Sequence, residues 1–517
     1  MAQETEIKLR VPLRAAAGIQ RHPALTAAAA GRPVTRRLRS VYFDPPERHL
    51  AQAKLALRVR RIGRAWVQTL KAEGEVTGAT HQRGEWEANV AACRPELAKI
   101  DAPQARELLD SPEVHDRLAP VFETDFRRTT VPLQFAAGAA ELAIDRGHVV
   151  AGGRREALAE LELEMDPASA RDAYALLLEL ARSFELETEV VNKAERGFRL
   201  LDQAPPPVVK ARKPRFDHEH SVEQALAAIV SACLYQVQAN AEGVRAGLDD
   251  VEYLHQMRVG LRRMRSALST FSAAFPKALF APLRDELKWL AGELGPARDW
   301  DVFVTETLPP IRAAFPDHAG LLRLAAAAEG LQARHNQRAR NAAAAPRYRE
   351  ITLALSAWLG ARSWREALTA EQLAAVDAPV PGFASAVLAK RHRQFVKRGK
   401  GHREFTAEEL HQLRIAGKKL RYAAEFFHGL FTGKRAEAFI EALEDLQDIL
   451  GAINDAATTQ RLLEEIRGET ADAGVHEAAG IVAGWGAQRA AHCRSELATA
   501  FKHLRRQKPF WDDAAKA

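Results

Sequence analysis

Charge alternation across the first two hundred residues limits this chain's folding options more than any other feature. Glu4-Thr5-Glu6-Ile7-Lys8-Leu9-Arg10 reads as a strand whose even positions are all charged. Side chains alternate faces along a strand, so Glu4, Glu6, Lys8 and Arg10 project one way and Thr5, Ile7 and Leu9 the other. Leu55-Ala56-Leu57-Arg58-Val59-Arg60-Arg61 sets Arg58 and Arg60 on one side, and Gln82-Arg83-Gly84-Glu85-Trp86-Glu87 groups Arg83, Glu85 and Glu87. Ala159-Glu160-Leu161-Glu162-Leu163-Glu164 puts three glutamates opposite two leucines. A solvated edge strand explains any one of these runs. Together they carry both signs of charge on one face and apolar residues on the other. An open sheet would dissolve the charges in water, whereas a closed barrel would turn them inward, lining a bore with arginine and lysine beside carboxylates. Burying that many charges is costly unless a ligand neutralises them. A polyphosphate with a divalent metal does so: cations meet phosphate oxygens and carboxylates meet the metal. Glu4 and Glu6, ~7 Å apart along a strand and followed by Lys8, suit a cation and an anionic oxygen held together.

Further strands are read at Ser40-Val41-Tyr42-Phe43-Asp44, ended by Pro45-Pro46, and at Glu141-Leu142-Ala143-Ile144-Asp145. Ala65-Trp66-Val67-Gln68-Thr69-Leu70-Lys71 follows a glycine as a hairpin partner of the Arg58 strand. Helices are expected near 103–109 and 168–185. Gln203-Ala204-Pro205-Pro206-Pro207 then opens a proline-rich, basic stretch that cannot continue a helix and acts as a semi-rigid spacer. The expected organisation is an N-terminal α+β domain over 1–202, a linker over 203–216 and an all-α domain over 217–511.

The helical part repeats itself. Leu254-His255-Gln256-Met257-Arg258-Val259-Gly260-Leu261-Arg262-Arg263-Met264-Arg265 matches Leu410-His411-Gln412-Leu413-Arg414-Ile415-Ala416-Gly417-Lys418-Lys419-Leu420-Arg421 at an offset of 156. Leu294-Gly295-x-x-x-Asp299 matches Leu450-Gly451-x-x-x-Asp455 at the same offset. One offset kept by two landmarks argues for duplication, with halves at about 217–378 and 383–511 joined at Pro379-Val380-Pro381-Gly382. On a helix, Leu254, Met257, Leu261, Met264 and Leu268 make a seam, and His255, Arg258, Arg262 and Arg265 a stripe flanking it. His411, Arg414, Lys418 and Arg421 repeat the stripe. Cations beside a buried seam face a groove between helices. The plainer reading is long side chains snorkelling along an ordinary helix surface. Arg391, Arg393, Lys397, Arg398 and Lys400 either extend the track or form a solvated helix flank.

Composition narrows the partners. No apolar run of the 517 residues approaches the ~20 needed to span a bilayer. The charged strand begins within four residues of the N-terminus, so no signal peptide is expected. Cys93, Cys233 and Cys493 are far apart and lack metal-ligand spacing, which fits a reducing cytoplasm without zinc or a disulfide framework. Residues 1–202 hold 30 basic and 30 acidic residues and the remainder 44 and 37, so the helical part carries the whole surplus of +7. A basic second half points to a polyanion. Few aromatics flank its stripe, which disfavours stacking on nucleic-acid bases.

Taken in order, Glu4-x-Glu6-x-Lys8, Tyr42-Phe43-Asp44, Leu57-Arg58-Val59-Arg60, Thr69-Leu70-Lys71, His81-Gln82-Arg83-Gly84-Glu85, Asp125-Phe126-Arg127-Arg128, Asp145, Glu160-x-Glu162-x-Glu164 and Lys193-Ala194-x-Arg196-Gly197 resemble the CYTH family, the triphosphate tunnel metalloenzymes. The set most resembles bacterial inorganic triphosphatases with a second helical domain. The resemblance implies a closed antiparallel β-barrel enclosing a triphosphate tunnel. It implies Mg²⁺ or Mn²⁺ held by Glu4, Glu6, Asp145, Glu160, Glu162 and Glu164, with Glu4, Glu6 and Lys8 at the catalytic centre. Lys8, Arg58, Arg60, Lys71, Arg83, Arg128 and Lys193 would bind phosphate oxygens, and His81 would be structural. Residues 218–511 resemble the CHAD family through both copies of a His-x-x-Arg-x-x-x-(Arg/Lys)-(Arg/Lys)-x-Arg signature. That resemblance implies two pseudo-symmetric helical-bundle repeats that bind inorganic polyphosphate through His255, Arg258, Arg262, Arg265, His411, Arg414, Lys418 and Arg421. Hydrolysis of tripolyphosphate is the leading expectation. The alternatives are a non-catalytic polyphosphate-binding protein, or an adenylate cyclase or organic triphosphatase using the same tunnel.

Overall fold

The computed structural model describes residues 2–511 apart from 73, 78–79, 249–250, 402–403 and 432; the side chains of residues 2–4, 75–77 and 81–83 also lie outside that description. The chain divides into two compact units, one of residues 1–208, 238–243 and 345–367, the other of 209–237, 244–344 and 368–517. A boundary drawn at residue 202 leaves the two inserted stretches outside the first unit.

The first unit is built on ten strands: β1 (Ala2–Arg10), β2 (Val34–Asp44), β3 (Leu55–Ile62), β4 (Ala65–Ala72), β5 (Glu75–Thr77), β6 (Thr80–Val90), β7 (Ala119–Phe135), β8 (Gly138–Ala151), β9 (Arg154–Met165) and β10 (Glu187–Thr188). All pairings are antiparallel. β1 pairs with β9 through Glu6 to Arg10 and with β6 through Ala2 to Ile7. The circuit β1-β9-β8-β7-β2-β3-β4-β6 therefore returns to its first strand. The β8–β9 hairpin turns through Gly152 and Gly153, both at positive φ (54° and 76°). Such a two-residue turn matches the strand twist and favours glycine.

Over β1, β9 and the start of β8 the outward face is apolar and covered. Ile7, Leu9, Leu142, Ile144, Leu161 and Leu163 are buried beneath α1 (Ala170–Ser183), with Leu353 and Ala357 of the inserted residues 345–367 in the same cluster. Each such leucine or isoleucine contributes roughly 1.5–3 kcal/mol on burial. Inside, Tyr42, Phe122, Phe126 and Leu158 pack with Ala194, Phe198 and Leu201 of α2 (Lys193–Asp202). Gly197 permits this close approach, since a Cβ there would lie 2.2 Å from the Phe122 ring.

The second unit is helical: α3 (Val222–Ala246), α4 (Val251–Phe271), α5 (Lys277–Val302), α6 (Ala319–Ala344), then, after α7 (Pro346–Ala361) of the first unit, α8 (Val380–Arg398), α9 (Ala407–Phe427), α10 (Lys434–Glu469) and α11 (Ala473–Arg506). α4 and α9 span equivalent residues at the 156 offset, and α5 and α10 begin within one residue of it. Leu254, Met257, Leu261, Met264 and Leu268 are all buried, as the seam requires. Among the described residues no helix is long and apolar enough to cross a membrane.

One local expectation is revised, and the Asp125-Phe126-Arg127-Arg128 motif falls within the 17-residue β7. The helix read near 103–109 is a short 3₁₀ turn, Pro103–Ala105, followed by the four-residue helix Arg106–Leu109. At Pro379-Val380-Pro381-Gly382 a helix begins: Pro379 stands at the N-cap of α8, and Val380, Pro381 and Gly382 form its first turn. Proline fits there because the first helical N–H groups have no acceptor within the helix.

Candidate functional site

The bore collects its charges by register. Lys8 stands opposite Glu162, Glu6 opposite Glu164, Asp145 opposite Glu160, and Arg128 opposite both Asp145 and Arg36. Directly opposed residues share a face, so a single bore wall receives all of them. Oxygen atoms of Asp145, Glu160 and Glu162 lie within 4.8 Å of one another, and all three residues are buried. They converge on Lys193, whose Nζ is 3.1 Å from Asp145, 2.6 Å from Glu160 and 2.6 Å from Glu162. Asn192 makes this possible by accepting a hydrogen bond from the Glu195 N–H at 2.9 Å. That cap starts α2 at Lys193.

The remaining carboxylate valence is filled by arginine. Arg128 donates to both Asp145 oxygens, at 2.8 and 2.7 Å, and to Glu162. Arg196 donates to Glu160 at 3.1 Å. Burial alone would raise the Glu162 carboxyl, but Lys193, Arg128 and Lys8 outweigh it and hold the group well below the usual carboxylate range. Conversely, burial would lower Lys193, and Glu160, Glu162 and Asp145 raise it instead. Toward β3 and β4 the balance changes. Lys71 lies 2.6 Å and Arg58 3.6 Å from the same residue, Glu85. Arg60 donates to the Ser40 hydroxyl at 3.0 Å and lies over the Phe126 ring, 5.9 Å from its centroid, and among the described residues it makes no ion pair. Burial, then the neighbouring Arg58 and Arg128, pull Arg60 down to about 9. A guanidinium so destabilised as a cation is one that an anion would stabilise.

The helical unit holds a second charged site, where α4 meets α9. Arg263 donates to Glu425 at 2.9 Å, and Arg421 also pairs with Glu425 at 2.9 Å. Arg262 of the first repeat lies over the Tyr422 ring of the second, 5.9 Å from its centroid. Among the described residues, Arg262, Arg414 and Lys418 have no hydrogen-bond or ion-pair partner. Burial, followed by Arg262, Arg414 and Arg421, pulls the Lys418 amine down to about 7. Arg414 is lowered chiefly by burial, and its Nε is buried without a partner. The repeats differ in detail. Arg258 donates to the Gly295 carbonyl at 2.6 Å and to Asp299 at 3.4 Å, whereas His411 shares a 2.8 Å hydrogen bond with Asn454. At the position equivalent to Asn454 stands Arg298; burial and that guanidinium lower His255.

Residues 2–198 match the model of the CYTH domain, and residues 228–464 match that of the CHAD domain. The chain joins a CYTH domain to a CHAD domain. The crystal structure of the CHAD domain from the plant Ricinus communis is 33% identical, with a TM-score of 0.51, covering 59% of this chain and 98% of that one. An inorganic triphosphatase of Haemophilus influenzae is 29% identical over 164 residues, 32% of this chain and 46% of that protein, so the match spans about half of the relative. An uncharacterised protein of Mycobacterium tuberculosis is 26% identical over 494 residues, 91% of this chain and 90% of the relative.

In the CYTH domain, Glu6, Lys8, Arg58, Arg60, Lys71, Arg128, Asp145, Glu160, Glu162 and Lys193 share the bore. Glu164 stands on the same face, opposite Glu6, but is exposed. The side chains of Glu4, His81 and Arg83 lie outside the described residues. Four residues absent from the sequence-based site belong beside it: Glu85, which orders Arg58 and Lys71; Arg196; Glu189, 3.5 Å from Arg196; and Arg36, exposed on the Arg128 face. Strand parity places Arg36 inside, but its neighbours Arg37 and Arg39 hide the alternation. Asp44, quoted within a motif, is a loop clamp: its carboxylate accepts hydrogen bonds from the Leu50 and Ala51 N–H groups at 3.0 and 2.9 Å.

In the CHAD domain the structure brings Arg262, Arg414, Lys418 and Arg421 together. Arg262 and Arg265 are both exposed, and Arg258 is engaged by its own repeat. Arg391 and Arg398 donate to the carbonyls of Lys419 and Gln412, so these two members of the basic run tie α8 to α9.

Proposed function

We propose that the CYTH domain hydrolyses inorganic tripolyphosphate, or a related triphosphate, to phosphate and pyrophosphate with Mg²⁺ or Mn²⁺, and that the CHAD domain binds inorganic polyphosphate. One observation carries the reading: in one bore, three buried carboxylates stand beside a cation set in which, among the described residues, Arg60 makes no ion pair. The similarity to the Haemophilus influenzae inorganic triphosphatase supports it.

The carboxylates fit a hard divalent cation in number, charge and oxygen chemistry. Their convergence on one ammonium marks a locus already suited to positive charge. Asp145, Glu160 and Glu162, with Glu4, Glu6 and Glu164 nearer β6, would hold the metal. When bound, it supplies Lewis-acid polarisation of the phosphoryl oxygens and orientation of the attacking water. The chain's own residues do the rest. Arg58, Arg60, Lys71 and Arg83 grip the non-bridging oxygens and hold the triphosphate extended. Arg128 and Lys193 give up carboxylates for phosphate oxygens, so the internal ion pairs serve as place-holders for the ligand. Lys8 disperses the charge that develops at the scissile bridge.

The test is phosphate release by the full-length protein from tripolyphosphate, pyrophosphate and ATP, with Mg²⁺, Mn²⁺ or excess EDTA. Tripolyphosphate should be turned over fastest, and EDTA should stop it. No release from any triphosphate with either metal would overturn the enzyme and leave a ligand clamp.

A further inference from the structure

The outer wall of the barrel carries a charged surface that neither the bore nor the CHAD groove uses. Arg37 of β2 is directly opposite Arg127 of β7, which is directly opposite Arg146 of β8. Their neighbours Arg128 and Asp145 face the bore, so these three face out. One strand further along, Arg39 is opposite both Arg61 and Asp125. Arg155, on β9, is opposite Val150 and also on the outer face. The outward positions of this part of the wall thus hold six arginines against two carboxylates, Asp125 and Glu123.

Those two carboxylates are already committed. Arg37 donates to both Asp125 oxygens, at 2.9 and 2.5 Å, and Arg39 donates to Glu123 at 2.9 Å. The Arg37 hydrogen bonds, with Arg39 and Arg155 nearby, hold Asp125 below the usual carboxylate range. Nothing is left for Arg127 and Arg146. Both are exposed, and among the described residues neither makes a hydrogen bond or an ion pair. Like charges directly opposite on adjacent strands destabilise a sheet. A row of three, spanning about 10 Å at the usual strand spacing, is stabilised by an anion that bridges them.

We propose that this wall, centred on Arg127 and Arg146, is a docking face for a linear chain of phosphates without bases. Charge complementarity selects a polyanion. The absence of Phe, Tyr and Trp from the outward positions of β2, β7 and β8 around the row (Thr35, Arg37, Arg39, Glu123, Asp125, Arg127, Thr129, Arg146, His148) argues against nucleic acid, whose single strands are held by stacking. Trp66, at the edge, lies under the Arg61 guanidinium, 5.8 Å from its ring centroid. Arginine forks suit the bidentate contacts that phosphate oxygens offer.

The experiment measures binding of long-chain sodium polyphosphate to the full-length protein over a salt series. The parent is compared with Arg127→Glu/Arg146→Glu and with the milder Arg127→Gln/Arg146→Gln. Both pairs are also built into a protein whose CHAD groove is reversed by Arg262→Glu/Arg414→Glu. The Glu pair should weaken binding about tenfold at low salt in both backgrounds. The Gln pair should weaken it less and lower the slope of log affinity against log salt by about two contacts' worth. Tripolyphosphate hydrolysis should be unchanged in both, which also reports that the barrel is folded. Unaltered binding by both pairs in the groove-reversed background would overturn the proposal. So would duplex DNA competing as well as polyphosphate at equal phosphate concentration. Because the wall is read in a groove-reversed protein, failure of the groove or of hydrolysis is seen separately.

Discussion

The bore and the groove are both lined with cations, yet they balance their charge in opposite ways. Lys8, Arg58 and Lys193 of the bore are buried, whereas in the groove Arg414 and Lys418 are half-buried and Arg262 is exposed. In the bore, Lys8, Arg58, Lys71, Arg128, Lys193 and Arg196 each have a carboxylate within 4 Å; among the described residues Arg60 and the exposed Arg36 are the exceptions. In the groove, Arg262, Arg414 and Lys418 have none among the described residues. A balanced site gains little from an anion alone, because each phosphate oxygen that takes an arginine strands a carboxylate. Under the proposed function, metal and phosphate enter together. An unbalanced groove accepts an anion outright, and its affinity follows the number of ion contacts and the salt.

The largest effect that could break this contrast is expected at Glu6, which is 3% exposed and 3.4 Å from Lys8. Glu6→Gln keeps the shape and removes one negative charge from the metal-holding set. Phosphate release from tripolyphosphate should fall about 100-fold or more, worth ~2.7 kcal/mol of transition-state stabilisation. The near-ultraviolet circular dichroism should be that of the parent. Parental turnover in this variant would mean that Glu6 does not serve the metal.

A smaller loss is expected when the groove is reversed. Arg262→Glu with Arg414→Glu takes one cation from each repeat, and polyphosphate affinity should fall about tenfold or more at low salt, with a shallower salt dependence. Tripolyphosphate hydrolysis should not change. Arg258 is the wrong residue for this purpose, because its guanidinium donates to the Gly295 carbonyl and a glutamate there would set a carboxylate against it. If reversal costs nothing, the groove cations are structural, and the contrast with the bore disappears.

These choices show how much the sequence could say. Alternation identified the bore face of β1, β3 and β9 because each carries clean charged–apolar pairs. It failed where charges sit on both faces: Arg36-Arg37 and Arg127-Arg128 each place one arginine in the bore and one on the outer wall, and only the register of β2 against β7 separates them. Glu164 shares a face with Glu160 and Glu162, yet strand parity carries no information about depth, and the structure leaves it exposed. The helical repeat was legible to the residue at α4 and α9, since one offset fixes both. The inclusion of residues 345–367 in the barrel unit was not, because Leu353 and Ala357 look like any other helix core positions. Nor did the stripe reveal which cations are already spent: Arg258 and Arg262 look alike until the Gly295 carbonyl and Asp299 are in place.

The smallest expected effect is the most specific to the unbalanced site. Lys418 is held near pKa 7 by burial and by Arg262, Arg414 and Arg421, with Asp455 opposing them. Its amine therefore loses charge as pH rises through 7. Bound polyphosphate favours the charged amine and moves its pKa upward, so binding takes up a proton between about pH 7 and the raised value. Affinity should be flat with respect to this group below pH 7 and fall a few-fold between pH 7 and 9, by at most tenfold per pH unit for one proton. Lys418→Arg keeps a cation that does not titrate there and should flatten the profile while retaining tight binding. A slope that survives in Lys418→Arg would assign the proton to another group; a flat profile in the parent would mean that Lys418 stays charged, and that the groove is better compensated than its contacts indicate.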